Sequence, residues 1–510
     1  MLRILLVPRR AACALALALA AGLVALAPAT AAGQSLAPPR ARTRPPAALP
    51  RTASLARRLN RLLDEPPFDR ALWGVAIADA RGRIVFERNG DRLFIPASNT
   101  KLLVAATAAA LLPPDFRFRT SVYAAGPVED GVVRGDLVLY GRGDPTLSGR
   151  YEDSVTAAFD QLADSLRARG ITGVAGDVVG DASYFDSLLV HPSWEGYDLN
   201  WWYAAPVTAL GFNDNSIDFR ITPGPVGTTP VITMQPDLGV VQFTNRARTV
   251  PADSPRTIDF YRLPGTNTVW AEGDVESDAR PWTEYFAVHD APLWAATAFR
   301  RSLERRGITV SGATRRTFDS TAYAAARAGT PLAERRSRVL GAILQPILES
   351  SQNWFADVLL KTLGRELRGR GSFAAGVDAE RAFLVDSLAV DSTHFDVVDG
   401  SGLSSSDLVT PRAFVQLLRR MKDHPRAGPF LEALPVGGRS GTLRFRFRNG
   451  PLEGRVRAKT GSIARVNTLA GYLELDDGRT WTFSIQLNHH TGTTRDALRR
   501  IDAVVAELAR

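Results

Sequence analysis

The pattern of apolar and polar positions divides the chain into regions of different texture. Leu72–Ile77 and Arg83–Glu87 alternate like short strands joined through the turn Asp79-Ala80-Arg81-Gly82. Pro96 and Ser98 open a helix predicted to run to about Leu112, with Leu102, Leu103, Ala106 and Leu111 as apolar positions and Pro113-Pro114 as the stop. From Asp115 to about Ser320 the texture changes. Gly, Pro, Val and Thr become frequent, strand-like runs such as Gly135–Tyr140 and Val240–Thr244 are short, and helical patterns such as Asp153–Arg169 are few. Helical periodicity returns at Arg338–Leu363 and Thr410–Met421. Three strand-like runs follow, Arg455–Lys459, Leu469–Leu475 and Thr480–Leu487, the last two joined by the hairpin turn Asp476-Asp477-Gly478. A final amphipathic helix starts near Thr494 and carries Leu498, Ile501, Val504, Val505 and Leu508 on one face, a pattern suited to packing on a sheet. Together these elements predict an α/β fold of the α+β type. One sheet is built from both ends of the chain, helices cover its faces, and a β-rich insertion lies between.

The first residues change the picture of charge. Residues 1–31 read as a cleaved signal peptide: Arg3, Arg9 and Arg10 lead, an Ala/Leu run spans Ala11 to Ala27, and Ala29-Thr30-Ala31 offers a small-x-small cleavage site. An uncleaved anchor is the alternative, but the run is short for the roughly 20 residues a membrane span needs. Cys13 is the sole cysteine and would leave with the leader, so no disulfide or thiol chemistry is expected in the mature chain. Residues 32–52, rich in Pro, Ala and Arg, read as a solvated linker. Residues 1–52 hold seven arginines and no carboxylate, so the formal net charge of +9 falls to +2 for the remainder. That balance gives no reason to propose nucleic acid as a partner. No other segment suits a stable membrane span, and export to the periplasm is the expectation.

Of 62 Lys and Arg residues only four are lysines: Lys101, Lys361, Lys422 and Lys459. A chain so biased toward arginine keeps lysine where arginine fails, and arginine cannot give up its proton. Two of the four stand in chemically suggestive strings. Ser98 and Lys101 lie three residues apart, on one face of the predicted helix start, where a hydroxyl can attack a carbonyl and a desolvated amine can take its proton. Lys459-Thr460-Gly461-Ser462 ends a run that can be an edge strand, where Lys459 and Thr460 can hold a carboxylate and Gly461 lets a carbonyl approach. A third string, Ser351-Gln352-Asn353, puts a hydroxyl and an amide on one loop. Each string alone also fits an ordinary role: an N-cap serine beside a surface lysine, a strand end, a polar helix cap. Metal chemistry is not expected. His489-His490 is adjacent rather than spaced as a ligand pair, and no H-E-x-x-H occurs.

In the order S-x-x-K, S-x-N, K-T-G the three strings match the motifs of penicillin-binding proteins and serine β-lactamases. With Pro96–Leu103, Gly143–Leu147, Ser351–Gly364, Asp399–Leu403 and Ala458–Ser462, the chain resembles the DacB-type D-Ala-D-Ala carboxypeptidase/endopeptidase family, the low-molecular-mass class C penicillin-binding proteins. The resemblance runs from about Ala53 to Arg510, and the separation of 253 positions from Ser98 to Ser351 suits a family that carries two extra domains there. It implies a transpeptidase/β-lactamase-like catalytic domain from residues 53–120 and 335–510. Residues 121–214 and 270–334 would form an inserted second domain, and residues 215–269 a third. It also implies Ser98 as acylated nucleophile, Lys101 as its proton acceptor, Ser351 and Asn353 in proton transfer and substrate holding, and Lys459 and Thr460 on the terminal carboxylate. The backbone N–H groups of Ser98 and Ser462 would form the oxyanion hole. Expected partners are peptidoglycan peptides, with β-lactams as covalent inhibitors, and no cofactor. One departure stands out: Ser405 follows Ser404 where relatives often have Arg, so the side-chain pocket is open, and the loop from Asp181 to Asp186 is the candidate to complete it. A β-lactamase or esterase on the same machinery, and a wall-binding scaffold with a weak site, are the alternatives. Oligomeric state stays open.

Overall fold

Strands β1 (Leu72–Ala78), β2 (Ile84–Arg88), β3 (Val456–Ile463), β4 (Val466–Glu474) and β5 (Thr480–Asn488) form one antiparallel sheet in the order β2-β1-β5-β4-β3. The sheet joins both ends of the chain. The structure, a computed structural model, describes residues 51–510. The expected signal peptide, Cys13 and nearly all of the expected linker lie outside the described residues. The linker's last two positions, Arg51 and Thr52, already belong to a helix.

Alternation in the strands decides what covers each face. Trp73, Val75 and Ile77 of β1 and Phe483, Ile485 and Leu487 of β5 share a core with helices α1 (Arg51–Leu63) and, at the far end of the chain, Thr494–Leu508. Each such side chain contributes about 1.5–3 kcal/mol on full burial. The opposite face of β1 carries Gly74, Ala76 and Ala78, small enough for close approach: Val415 packs on the two alanines, and a Cβ on Gly74 would lie 2.4 Å from the Phe94 ring. Helices α2 (Lys101–Leu111), α3 (Asn353–Arg368) and α4 (Pro411–Lys422) lie on this side; the Thr494–Leu508 helix is α5. Every residue of α2 from Lys101 to Ala110 is buried, as its all-round apolar sequence requires.

The predicted elements of this sheet are present, with three local differences. The helix expected from Ser98 begins as a 3₁₀ turn, Ala97–Thr100. The helical stretch Arg338–Leu363 is two helices, Leu340–Leu348 and α3, because Ser351 takes φ +62°, outside the helical range. The run expected to end at Lys459 continues to Ile463, so Lys459–Ser462 lie inside the edge strand β3.

Between α2 and Leu340 the chain is β-rich. Strands Arg119–Ala125, Asp136–Gly141, Val178–Asp181, Thr314–Thr317 and Ala333–Arg336 form a five-stranded sheet, and helices Ala157–Ala168 and Ala291–Arg305 share its core. The expected boundaries at 120–121 and 334–335 fall within two strands that pair with each other, Arg119–Ala125 and Ala333–Arg336. Two three-stranded sheets span Ser216 to Ala287, and the boundary expected at 269–270 falls inside the strand Thr268–Glu276.

Candidate active site

Polar residues of β4 and β5 and the edge strand β3 hold the turn that carries Ser98. Asn488 pins the approach: its Oδ1 accepts from Ile95 N at 2.8 Å and its Nδ2 donates to Ile95 O at 3.1 Å. Thr468 Oγ1 donates to Pro96 O at 2.9 Å. Ala97 then takes φ +46°, an uncommon conformation for a residue with a Cβ, and Ser98 follows in the 3₁₀ turn. Gly461 lets β3 lie against this turn, since a Cβ there would sit 2.7 Å from Pro96 O and 3.1 Å from Ser98 N. In a 3₁₀ turn residues i and i+3 eclipse, which stacks Lys101 on Ser98.

Lys101 is fully buried, and its Nζ meets three oxygens: Ser98 Oγ at 2.9 Å, Asn353 Oδ1 at 2.7 Å and Ser401 O at 2.5 Å. The orientation of Asn353 is set by its Nδ2, which donates to Tyr203 O at 2.8 Å, so its oxygen must face Lys101. The Ser401 carbonyl is presented by a loop wrapped around Asp399. That carboxylate accepts from Ser401 N, Gly402 N, Ser404 N and Trp194 Nε1 at 2.7–3.1 Å. Gly402 closes the loop at φ +74°, and a Cβ there would lie 1.9 Å from Ala97 O. Desolvation pushes the Lys101 pKa down to about 8, against the pull of Asp357, Asp399 and Asp407. A neutral amine has two N–H groups and one lone pair. The two oxygens that can only accept, Asn353 Oδ1 and Ser401 O, take the two N–H groups, which leaves the lone pair for the Ser98 hydroxyl.

Lys459 is the second buried amine here. Its Nζ donates to Ser351 Oγ at 2.9 Å and Thr460 O at 2.8 Å, and burial, then the charge of Lys101, push its pKa well down. Thr460 Oγ1 donates to Thr442 Oγ1 at 2.9 Å. Ser462 Oγ accepts from Asn467 Nδ2 at 2.8 Å, and Asn467 Oδ1 faces His490 Nε2 at 2.8 Å.

Ser98, Asn353 and Ser462 line a cleft of about 430 Å³, together with Ser405, Tyr203 and the carboxylates of Glu195 and Asp198. Asp181 and Asp186 do not line it. Asp181 is fully buried and ion-paired with Arg327, and Asp186 pairs with the buried Lys361 at 2.8 Å. The acidic groups on the cleft wall come instead from the 3₁₀ turn at Asp198 and the residues before it, which the sequence reading did not single out. Trp194 and Tyr203 were also missed, and Lys361 and Ser401 were noted without a role. Scarcity of lysine was a usable signal for Lys361; Tyr203 and Ser401 act through backbone carbonyls, which leave no trace in side-chain identity.

Residues 55–509 match the D-Ala-D-Ala carboxypeptidase 3 (S13) family. A D-alanyl-D-alanine carboxypeptidase of Actinomadura sp. (strain R39) is 34% identical over 473 residues, which cover 90% of this chain and 85% of that protein. The D-alanyl-D-alanine carboxypeptidase DacB of Haemophilus influenzae is 26% identical, covering 84% of this chain and 87% of its own. Among solved structures, penicillin binding protein 4 (dacB) from Haemophilus influenzae superposes with a TM-score of 0.78 at 24% identity, over 89% of this chain and 99% of that one.

Proposed function

The chain belongs to the D-Ala-D-Ala carboxypeptidase 3 (S13) family, and from that premise we propose that it cleaves D-Ala-D-Ala ends of peptidoglycan stem peptides through an acyl-enzyme on Ser98. The observation that carries the reading is the Lys101 amine, 2.9 Å from Ser98 Oγ with two pure acceptors on its other side. Neutral Lys101 takes the hydroxyl proton as Ser98 Oγ bonds to the carbonyl carbon of the penultimate D-Ala. Backbone N–H groups of Ser98 and Ser462 receive the oxyanion. Collapse breaks the C–N bond, and the departing amine of the terminal D-Ala takes a proton passed through Ser351. Water then releases the acyl group, with Lys101 again as base. Lys459 and Thr460 hold the terminal carboxylate. That negative charge supplies Lys459 with the counter-ion its burial denies it, so substrate binding favours the ammonium form. A β-lactam acylates the same hydroxyl, because its strained amide presents the same carbonyl and carboxylate. Glu195 and Asp198 suit a cationic side chain upstream of the scissile bond.

Among the described residues no helix is long and apolar enough to cross a membrane. A substrate in the cell wall supports a site of action outside the cytoplasm, in line with the export expected from the sequence. Incubation with a peptide ending in D-Ala-D-Ala tests the activity: free D-Ala should appear and penicillin should block its release. A folded protein that releases none contradicts the reading. A cross-linked muropeptide in parallel reports endopeptidase action.

A further inference from the structure

His490 has no part in the chemistry above, yet two hydrogen bonds join it to the cleft. It is 4% exposed and lies just past β5, beside the exposed His489. Its Nε2 faces Asn467 Oδ1 at 2.8 Å, and Asn467 Nδ2 meets Ser462 Oγ at 2.8 Å. Ser462 is exposed and lines the cleft, so this chain of contacts ends on a hydroxyl open to substrate. On the other side of the ring, Nδ1 faces the Gly492 carbonyl at 3.0 Å. The ring packs edge-on at 5.7 Å against Phe68, which also carries the Arg500 guanidinium. The charge of Arg465 bears on it, and no carboxylate pairs with it among the described residues.

The Gly492 carbonyl can only accept, so Nδ1 carries a proton in either charge state. An Asn467 oxygen toward Nε2 then requires a second N–H, and a ring with both is the imidazolium. In that state Asn467 Nδ2 donates to Ser462 Oγ, and the Ser462 proton is free for an acceptor in the cleft. A neutral ring has a lone pair on Nε2 instead. The amide must then turn over, giving Nδ2 to the ring and Oδ1 to the Ser462 proton. Ser462 now offers the cleft its lone pairs only. Burial holds the His490 pKa below the usual imidazole value, with Arg465 adding to the fall and the Gly492 carbonyl opposing it. The neutral arrangement therefore prevails at pH 7 in the free protein. Each arrangement gives every polar atom of the relay a partner, so the proton decides between them. We infer that His490 is a positioning residue for the cleft: its protonation state, relayed by the Asn467 amide, sets whether the Ser462 hydroxyl donates to the substrate or only accepts from it. The carbonyl and carboxylate oxygens of a D-Ala-D-Ala end can only accept, so bound substrate favours the imidazolium. The inference rests on the proposed function for what fills the cleft, and not for the relay itself.

The test is a nitrogen NMR titration of the His490 ring in the full protein carrying Ser98→Ala, free and saturated with a peptide ending in D-Ala-D-Ala. The signal lost in His490→Gln assigns the ring. In the free protein the neutral ring should carry its proton on Nδ1. Peptide should raise the His490 pKa by about 0.3–1, the two- to tenfold preference that one hydrogen bond implies. In Asn467→Ala the rise should vanish, whereas a direct field of the bound carboxylate on the imidazole would survive there. If that variant fails to fold, Asn467→Thr takes its place: a branched side chain suits a strand, and it is one bond shorter than the amide that spans both partners. A neutral ring protonated on Nε2, no rise with bound peptide, or an equal rise without the Asn467 amide overturns the proposal. A peptide that does not bind contradicts the proposed function instead, and the tautomer in the free protein then decides the relay alone.

Discussion

Lys101 and Lys361 are the same residue in similar burial, and they do opposite things. Both are fully buried, and desolvation lowers the pKa of both. Lys361 Nζ meets the Asp186 carboxylate at 2.8 Å, the carbonyls of Leu188 and Val207, and the Phe373 ring at 4.5 Å. Lys101 meets a hydroxyl, an amide oxygen and a carbonyl, with no carboxylate in direct contact. Burial alone therefore does not make a base. A carboxylate in contact holds Lys361 as a cation and turns it into a clamp on the segment 186–207. Neutral acceptors leave Lys101 free to release its proton. The same segment also supplies Trp194 to Asp399 and Tyr203 O to Asn353, two contacts made independently of the Lys361 amine.

The largest way to break this contrast is Lys101→Arg. Arginine keeps the charge and cannot accept the proton, so penicillin acylation should fall by about two to four orders of magnitude. Near wild-type acylation would remove Lys101 as the base. Gly461→Ala comes next. Its Cβ would meet Thr468 Oγ1 at 2.2 Å and Pro96 O at 2.7 Å, displacing the turn that carries Ser98. Acylation should drop by up to about 100-fold, while circular dichroism stays native.

A smaller effect sharpens the contrast through pH. The Lys101 pKa is lowered to about 8, so the ammonium form prevails below that pH and the base is lost as pH falls. The acylation rate constant should rise about tenfold per pH unit toward that value and level off above it. A flat profile from pH 6 to 9 would mean the proton is taken elsewhere. Lys361→Met should have the least effect on chemistry. Acylation should stay close to wild type, while stability falls by about 1–3 kcal/mol in urea denaturation. The loss stays below that of a fully buried pair because the Asp186 side chain is 39% exposed and returns to water. Asp186→Ala should behave alike; a loss of acylation as large as that of Lys101→Arg would erase the distinction between clamp and base.

Much of this was legible in the sequence because the site depends on side-chain identity at short spacing. Scarce lysines marked Lys101 and Lys459, and alternation marked the strands of the main sheet. The same scarcity marked Lys361, but no motif accompanied it. Asp181 and Asp186 were expected on the substrate pocket, and the structure puts one in an ion pair with Arg327 and the other on Lys361. A loop's composition does not reveal which face it turns to a cleft formed by residues hundreds of positions away. The pairing that closes the inserted sheet was not legible for a related reason. Arg119–Ala125 pairs with Ala333–Arg336, and a partner so distant leaves no local signal. Helix α1 was legible after all, since Leu55, Leu59 and Leu63 recur at helical spacing, but it lay beside a stretch read as linker.

The most direct measurement is the position of the penicillin adduct. Trypsin cuts after Arg92 and Lys101, so the nucleophile lies in the peptide Leu93–Lys101. Mass spectrometry of the wild type after saturating penicillin should find the adduct on Ser98 in that peptide, and Lys101→Arg treated alike should show almost none over the same time. An adduct on another residue, or none on the folded wild-type protein, would contradict the account.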